Sequence, residues 1–524
     1  MPRTDLRPLD ESADAAFLDR LRAATELLES IVSDRSLLAQ VPSDERQRLL
    51  QAAGHVYAPD SVARRQLVRA GIRRRKAEEV RREDEALNRT GIRTLRRQTV
   101  FTSPNVFPPT GFEQREVDGD PDFREAIEPQ HCYVCKAHYT VLHHFYDQLC
   151  PPCAAFNYAK RTELADLSGR VALLTGGRVK IGYQAGIKLL RAGAHLIVTT
   201  RFPRDSAARY AAEPDFGEWG HRLEIFGLDL RHTPSVEAFC RELLATRDRL
   251  DFIVNNACQT VRRPPDFYRH MMARETTTLN DLPEPARRLL DAYEAWRGTH
   301  LQPTRMGTIS PAAFERRLPS IAGLANSAEL SQVPLLAEEH QSRQDVFPEG
   351  RFDQDLQQVD LRERNSWRML MADVPSVELL EVQLVNAVAP YILNARLKAL
   401  MLRTPSRDKH IVNVSAVEGQ FYRNFKTTRH PHTNMAKAAL NMMTRTAAAD
   451  YQSDGIHMNS VDTGWVTDED PVELAARKVA EHRFHPPLDI VDGAARIVDP
   501  IMTGINSGEH VWGKFLKDYR PTDW

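Results

Sequence analysis

Residues 171–193 read VALLTGGRVKIGYQAGIKLLRAG. The apolar run VALL has the character of a buried strand, a glycine-rich turn follows it, and Ile181, Ala185, Leu189 and Leu190 then recur at helical spacing. Strand, turn and helix in that order make a phosphate-binding corner: glycine lets the backbone come close, and the free N–H groups of the first helical turn receive the anion. One such corner decides little alone. The runs HLIVTTR, LEIFGLDLR, LDFIVNNACQT, HIVNVSAVEG and GIHMNSVDTGWVT follow in turn, separated by helical stretches. Strands alternating with helices imply an α/β fold with a doubly wound parallel sheet.

The chain of 524 residues is too long for one ordinary domain of about 100–200 residues. Its 70 basic and 71 acidic residues balance, which gives no overall bias toward nucleic acid or membrane. No apolar run reaches the roughly 20 residues that span a bilayer, and MPRTDLRPLDESAD has no signal-peptide core, so the expectation is a soluble, cytoplasmic protein without membrane contact. Residues 1–100 read as a helical, Arg-rich N-terminal region, with Phe17, Leu21, Leu27, Leu28 and Ile31 near one face of the first helix. Over residues 61–100, twelve arginines and one lysine stand against five acidic residues. This run reads either as a solvated arm with Arg/Glu pairing or as a basic surface for an acidic partner; without interleaved aromatics, nucleic acid is disfavoured.

A proline-rich connector, FTSPNVFPPTGF, opens the segment 101–165. Four of the six cysteines fall within 22 residues of it: Cys132 and Cys135 form one CxxC pair, Cys150 and Cys153 another, with fourteen residues between. Two such turns can close a tetrahedral four-thiolate site, which suits structural Zn2+ with no open coordination position. The unit resembles the treble-clef and zinc-ribbon families. A pair of redox CxxC motifs is the alternative, but the surrounding βαβ pattern is missing. His138, His143 and His144 read as packing or surface residues, because four cysteines already satisfy the metal.

From residue 166 the motifs resemble those of the short-chain dehydrogenase/reductase family, over residues 166–262 and 373–524. The resemblance implies a Rossmann-type domain that binds NADP, with NAD as the second choice. Thr175, Gly176 and Gly182 match the family's first turn, with Lys180 where its middle glycine stands, and Lys180 and Ile181 are expected beside the cofactor with them. After the second strand comes Arg201 rather than an acidic residue, and a guanidinium there can pair with a 2′-phosphate. Asp229 and Leu230 match the adenine contacts, Asn255, Asn256 and Ala257 the NNA signature, and Gly464 the turn near the carboxamide.

Of the catalytic tetrad that the resemblance implies, Asn386 matches the asparagine and Lys437 the lysine, which would also hold the ribose. Ser415 matches the first residue of the serine pair, but Ala416 stands at the catalytic serine and Thr433 at the tyrosine. An aliphatic hydroxyl cannot replace a phenol in proton transfer near neutral pH. His432 and Tyr422 are the alternative acids, and Thr467 arrives one position before the family's threonine, leaving Asp468 there. Residues 263–372 form an insertion beside the active-site mouth, with Arg262 and Arg263 either facing an anionic substrate or anchoring it. Two functions remain open. One is an oxidoreductase acting on a small-molecule carbonyl or alcohol with an altered tetrad. The other is a catalytically inactive dinucleotide-binding scaffold or redox sensor that meets a protein partner through the zinc module, the arm or the insertion. Family members commonly pair through the helices around Asn386 and Lys437, which makes a homo-oligomer an expectation.

Overall fold

The computed structural model describes residues 11–96, 125–301, 326–340, 343–353, 357–422, 426–467, 469–471, 474–475, 477–479 and 485–524. The connector FTSPNVFPPTGF and Asp468 lie outside the described residues. Two compact units result, Met1–Asp84 and Glu85–Trp524.

The first unit is helical, as its periodicity implies: helices Glu11–Ser33 and Ser43–Tyr57 are followed by most of helix Ser61–Asn88. Asp34 caps the short turn between the first two by accepting from the Ser36 backbone N–H. Phe17, Leu21, Leu27, Leu50 and Leu67 are exposed, so these helices bury little apolar surface of their own. Arg82 pairs with Glu78 one turn away, as the arm reading expects.

The boundary falls at Asp84 rather than near residue 100 because the next residues pack on the cysteine module. Leu87 and Ile92 join a core cluster with Phe145, Tyr146 and Leu149. Backbone bonds from Gly91 to His144 and from Ile92 to Phe145 add to it, and Arg93 pairs with buried Asp147 at 2.6 Å. The module itself is a hairpin of β1 (Glu125–His131) and β2 (His138–Val141) followed by helix Pro151–Thr162.

The sheet of the second unit contains β3 (Val171–Thr175), β4 (His195–Thr200), β5 (Leu223–Gly227), β6 (Phe252–Asn255), β7 (Lys409–Ser415), β8 (Ile456–Asp462), β9 (Phe515–Lys517) and β10 (Arg520–Thr522). In space their order is β10-β9-β8-β7-β6-β3-β4-β5, parallel throughout except where β10 turns back on β9. This is the doubly wound sheet, and the strand order reverses between β3 and β6, where ligands bind in such folds. Every residue of β7 and β8 is buried, as expected of central parallel strands covered on both faces. Helices Lys180–Arg191 and Ile490–Ser507 pack together, helix Thr233–Thr246 lies against the stretch Ala389–Met401, and helix Pro431–Ser453 packs on β8. The parallel register sets Thr175 beside Thr199 and Asn255 beside Asn413, so the turns after β3, β4, β6 and β7 emerge along one edge.

Among the described residues one helix, Ser376–Met401, is long and apolar enough to cross a membrane by length and composition alone. Its Val382, Ala389, Leu393 and Leu397 are buried, the latter three in the core of the sheet. The insertion divides its surface between two places. Leu289, Leu290, Tyr293 and Trp296 join the main core, and the Ile225 N–H donates to Leu289 O, which covers the edge strand β5. Of its other described residues, Phe267, Tyr268, Asp353 and 357–360 lie at the cavity over the carboxyl ends of the strands.

At the opposite edge, β7 and β8 bring His410 and His457 together with His510. His410 Nε2 lies 3.0 Å from His510 Nδ1, and burial, followed by its two histidine neighbours, pushes the His410 pKa well below the ordinary value. The folded state therefore refuses a proton that the unfolded chain accepts near its ordinary value of about 6.5, so stability is lost as pH falls below that value. The melting temperature is expected to drop between pH 7 and pH 5.5, and less steeply in His410→Gln; equal slopes in the two proteins would contradict this role.

Candidate functional site

The corner after β3 is closed by contacts that leave no room for side chains. Gly176 has φ +70°, and a Cβ there would meet Ala257 Cα at 2.8 Å; a Cβ on Gly182 would meet Gly176 O at 2.3 Å. The turn after β6 fits against this backbone. Asn256 Nδ2 donates to Thr175 O and Gly176 O at 3.0 and 3.1 Å, and the Ala257 N–H donates to Thr175 Oγ1 at 3.0 Å. Lys180 takes φ +55°, a left-handed conformation that favours glycine, so the side chain standing at the family's middle glycine sits on a strained backbone.

Above this corner lies a cavity of about 490 Å³. Gly176, Lys180, Ile181, Gly182, Arg201, Asp229, Leu230, Asn256 and Ala257 line it, nine of the expected cofactor residues. Thr175, Asn255, Lys437 and Gly464 are not among its lining residues. The Asn255 amide donates to Asn394 Oδ1 and Asn413 Oδ1, which makes it a brace between strands and helix rather than a ligand contact. Arg201 lies with its guanidinium 4.6 Å from the Tyr268 ring and donates to Tyr268 Oη at 2.6 Å. Burial pushes the Asp229 carboxyl up, but hydrogen bonds from Arg231 and the charges of Arg231 and Arg201 outweigh it and hold the group below its usual range.

The insertion supplies the opposite wall through Asp353, Gln357, Gln358, Val359 and Asp360. Buried Arg178 donates to Asp205 at 2.8 Å and to Gln357 Oε1 at 2.7 Å, tying the first turn to the helix after β4 and to the insertion. Burial opposes ionisation of Asp205, yet the facing Arg178 and Arg209 hold it at about 2. Arg262 pairs with Glu339 and Glu381, and Arg263 with Asp360, so this pair anchors the insertion. Arg178, Arg231, Tyr268 and Gln357 are cavity residues that sequence reasoning missed. The two arginines adjoin recognised motifs and could have been flagged; Tyr268 and Gln357 sit in an insertion without pattern.

The expected catalytic residues stand close together but do not face this cavity. Asn386 lies on a π-helical turn, accepting from the Gln259 N–H at 2.8 Å and donating to Gln259 O. Lys437 Nζ donates to Val414 O at 2.7 Å. His432 Nε2 lies 3.2 Å from Glu378 Oε1, and Ser415 and Thr433 are buried. The short turn Ser366–Arg368, from the end of the insertion, stands nearby. Trp367 stacks on His430 with ring centroids 3.9 Å apart, Ser366 Oγ accepts from the Arg262 N–H, and Arg368 pairs with Asp470. The cavity ends against Asn365, Thr467, Glu469 and Asp470. Tyr422 is 93 % exposed, which takes it away from any enclosed chemistry.

The four cysteine Sγ atoms of the module all lie within 4.8 Å of one another, and those of Cys135 and Cys150 are 3.6 Å apart. A zinc–sulfur bond of about 2.3 Å in a tetrahedron gives sulfur–sulfur edges of about 3.8 Å, so the donor set has the right type and size. The Cys132 N–H donates to Ala137 O and the Lys136 N–H to Cys132 O, with Lys136 at φ +63°, so the first pair sits on a tight knuckle. The His138 ring packs at a tilt against His131, and His143 Nδ1 accepts from the Phe145 N–H, so both have other partners.

Two family profiles match this unit: "short chain dehydrogenase" over residues 170–280 and "Enoyl-(Acyl carrier protein) reductase" over residues 365–484. They overlap the two ends of the insertion and fall on the strands that carry the site, so the sheet domain is similar to the short-chain dehydrogenases/reductases. An uncharacterised protein, R665, of Acanthamoeba polyphaga mimivirus is 28% identical over 389 residues, 72% of each chain. Dehydrogenase/reductase SDR family member 13 of Bos taurus is 32% identical over 22% of this chain, and retinol dehydrogenase 14 of Homo sapiens 37% identical over 17%. This chain spans 29% and 31% of the length of those two proteins. Among solved structures, a dehydrogenase/reductase from Sinorhizobium meliloti aligns over 68% of this chain and 96% of its own at 16% identity and TM-score 0.40. A metagenomic short-chain oxidoreductase in complex with NADP aligns over 68% and 100% at 18% identity and TM-score 0.37.

Proposed function

We propose that this chain is an NADP-preferring oxidoreductase that interconverts a small-molecule carbonyl and alcohol, with a structural zinc ion held by Cys132, Cys135, Cys150 and Cys153. The observation that carries the cofactor reading is the Arg201–Tyr268 pair at the carboxyl end of β4, a cation and a hydroxyl that both line the cavity, and the 2′-phosphate is assigned to them. Gly176 and Gly182 let a pyrophosphate approach the first turn, and Asp229 and Leu230 are placed for the adenine. NADP, when bound, supplies the hydride. The chain's own part is to hold the dinucleotide between the corner and the insertion and to keep water from it. Lys437 is not among the lining residues and is bonded to Val414 O, and the proton is handled by a group other than a phenol at position 433.

Nicotinamide fluorescence titrations test the preference. Losing one charge-assisted contact costs about 1.5–3 kcal/mol, so Arg201→Ala is expected to weaken NADPH binding by about tenfold or more while leaving NADH nearly unchanged. Equal losses for both cofactors would contradict the assignment. For the metal, about one equivalent of zinc per chain is expected, lost in Cys135→Ser together with a fall in melting temperature. A full equivalent retained by that variant would overturn the four-cysteine site.

A second reading, the inactive dinucleotide-binding scaffold, is favoured by one observation: none of Asn386, Ser415, His432, Thr433 and Lys437 lines the cavity. A carbonyl panel separates the two, since NADPH that binds without being consumed belongs to the scaffold. A cytoplasmic location fits six cysteines with no disulfide among them, four grouped as zinc ligands. Self-association through the helices around Asn386 and Lys437 fits the exposed Leu380, Tyr391, Met435 and Met442, and the exposed arm is the surface open to a protein partner.

A further inference from the structure

The cysteine module lies against the wall of the dinucleotide cavity. Tyr133 occupies the knuckle between Cys132 and Cys135, and its side chain leaves the module: Tyr133 Oη accepts from the Trp465 backbone N–H at 3.0 Å, across 332 positions of sequence. Trp465 belongs to the loop after β8 that continues through Val466 to Thr467, and Thr467 lines the cavity. Gly464, at φ +76°, starts this loop, and a Cβ there would stand 3.5 Å from Tyr133 Oη and 2.4 Å from Leu488 Cδ1. Val466 and Leu488 are buried in one cluster with Cys132, Cys150, Phe145 and Tyr146, and Ile181, from the first turn, packs on the same cluster. Gln148 adds a bond to His485 O at 2.7 Å.

The module therefore touches both the Ile181 turn and the residue 464–467 loop, two walls of one cavity. We infer that metal in the four-cysteine cluster sets dinucleotide affinity through Tyr133, which acts as a positioning residue for the loop that ends at Thr467. The physical link is short. With its four thiolates bound to one ion, the knuckle has a single conformation, and the phenol oxygen is fixed where the Trp465 N–H needs an acceptor. Without the ion, the four sulfurs lose their common centre, the knuckle gains freedom, and the loop must be ordered by the incoming dinucleotide itself, which weakens binding. The inference rests on the readings of a zinc ion in the cluster and of a dinucleotide in the cavity.

The test uses the full chain, with zinc measured by chelator release and NADPH and NADH titrated by nicotinamide fluorescence, on wild type as purified, wild type after chelation, and Tyr133→Phe. The phenylalanine keeps the ring packing and all four thiols and removes only the acceptor. It is expected to keep its zinc and its melting temperature and to bind both cofactors about fivefold more weakly, the effect of one ordinary hydrogen bond. Both cofactors weaken together because the loop is not the part that meets the 2′-phosphate. Chelated protein is expected to lose at least as much affinity, restored by adding zinc. Tyr133→Phe with full zinc and unchanged affinity overturns the inference while leaving the metal reading intact. Wild type without zinc overturns the metal reading, and wild type with zinc that binds neither cofactor overturns the dinucleotide reading; the inference falls with either. If chelation unfolds the chain, as circular dichroism would show, Tyr133→Phe decides.

Discussion

The sheet domain depends on the contact between two backbones, that of residues 176–182 after β3 and that of residues 256–257 after β6. The approach is so close that Gly176 and Gly182 have no space for a Cβ, and the Asn256 amide replaces what would otherwise be orphaned backbone carbonyl bonding at Thr175 and Gly176. The parallel register brings these turns to the same edge, and the reversal of strand order between β3 and β6 opens the crevice above them. The cavity above the corner thus follows largely from the geometry of the sheet and its turns.

The side chains then make this site different from a bare corner. The described residues of the insertion cover the free edge of β5, wall the cavity through Gln357 and its neighbours, and pack the Ser366–Arg368 turn beside the region where catalysis is expected. Its anchors are ion pairs between partly buried groups, Arg262 with Glu339 and Glu381 and Arg263 with Asp360. Pairs of this kind hold geometry well but add little net stability, because each charge gives up its water. The cysteine module buttresses the same cavity from the other side through the cluster that contains Val466, Leu488 and Ile181. The site is thus assembled from three parts of the chain, two of which a minimal dehydrogenase sheet lacks.

The sheet was legible in the sequence because buried parallel strands read as apolar runs, and six of them stood in order between helical stretches. The first turn and the paired cysteines were legible because glycine and thiol spacing is chemistry written locally. Other features could not be read. Tyr268 reaches Arg201 from 67 positions away, and Tyr133 reaches Trp465 from 332, and no periodicity encodes such meetings. Asn255 shows the reverse error: the motif was read correctly, but only Asn256 faces the cavity while Asn255 spans Asn394 and Asn413 inside the sheet. His432 was singled out for its imidazole and its place beside position 433, but its buried setting, with Nε2 3.2 Å from Glu378 Oε1, could not be read from the sequence. The boundary expected near residue 100 moved to Asp84 because Leu87 and Ile92 had apolar partners in the cysteine module that composition could not reveal.

The central claim is that the corner after β3 and the insertion together form one dinucleotide site. Hydrogen–deuterium exchange of the full chain with and without saturating NADPH tests it most directly. The account predicts slower exchange in residues 176–182, 199–201 and 228–231 and, in the same experiment, in insertion residues 265–271 and 357–360. Protection confined to the sheet turns, with the insertion unchanged, or no protection at any of these segments, would contradict it.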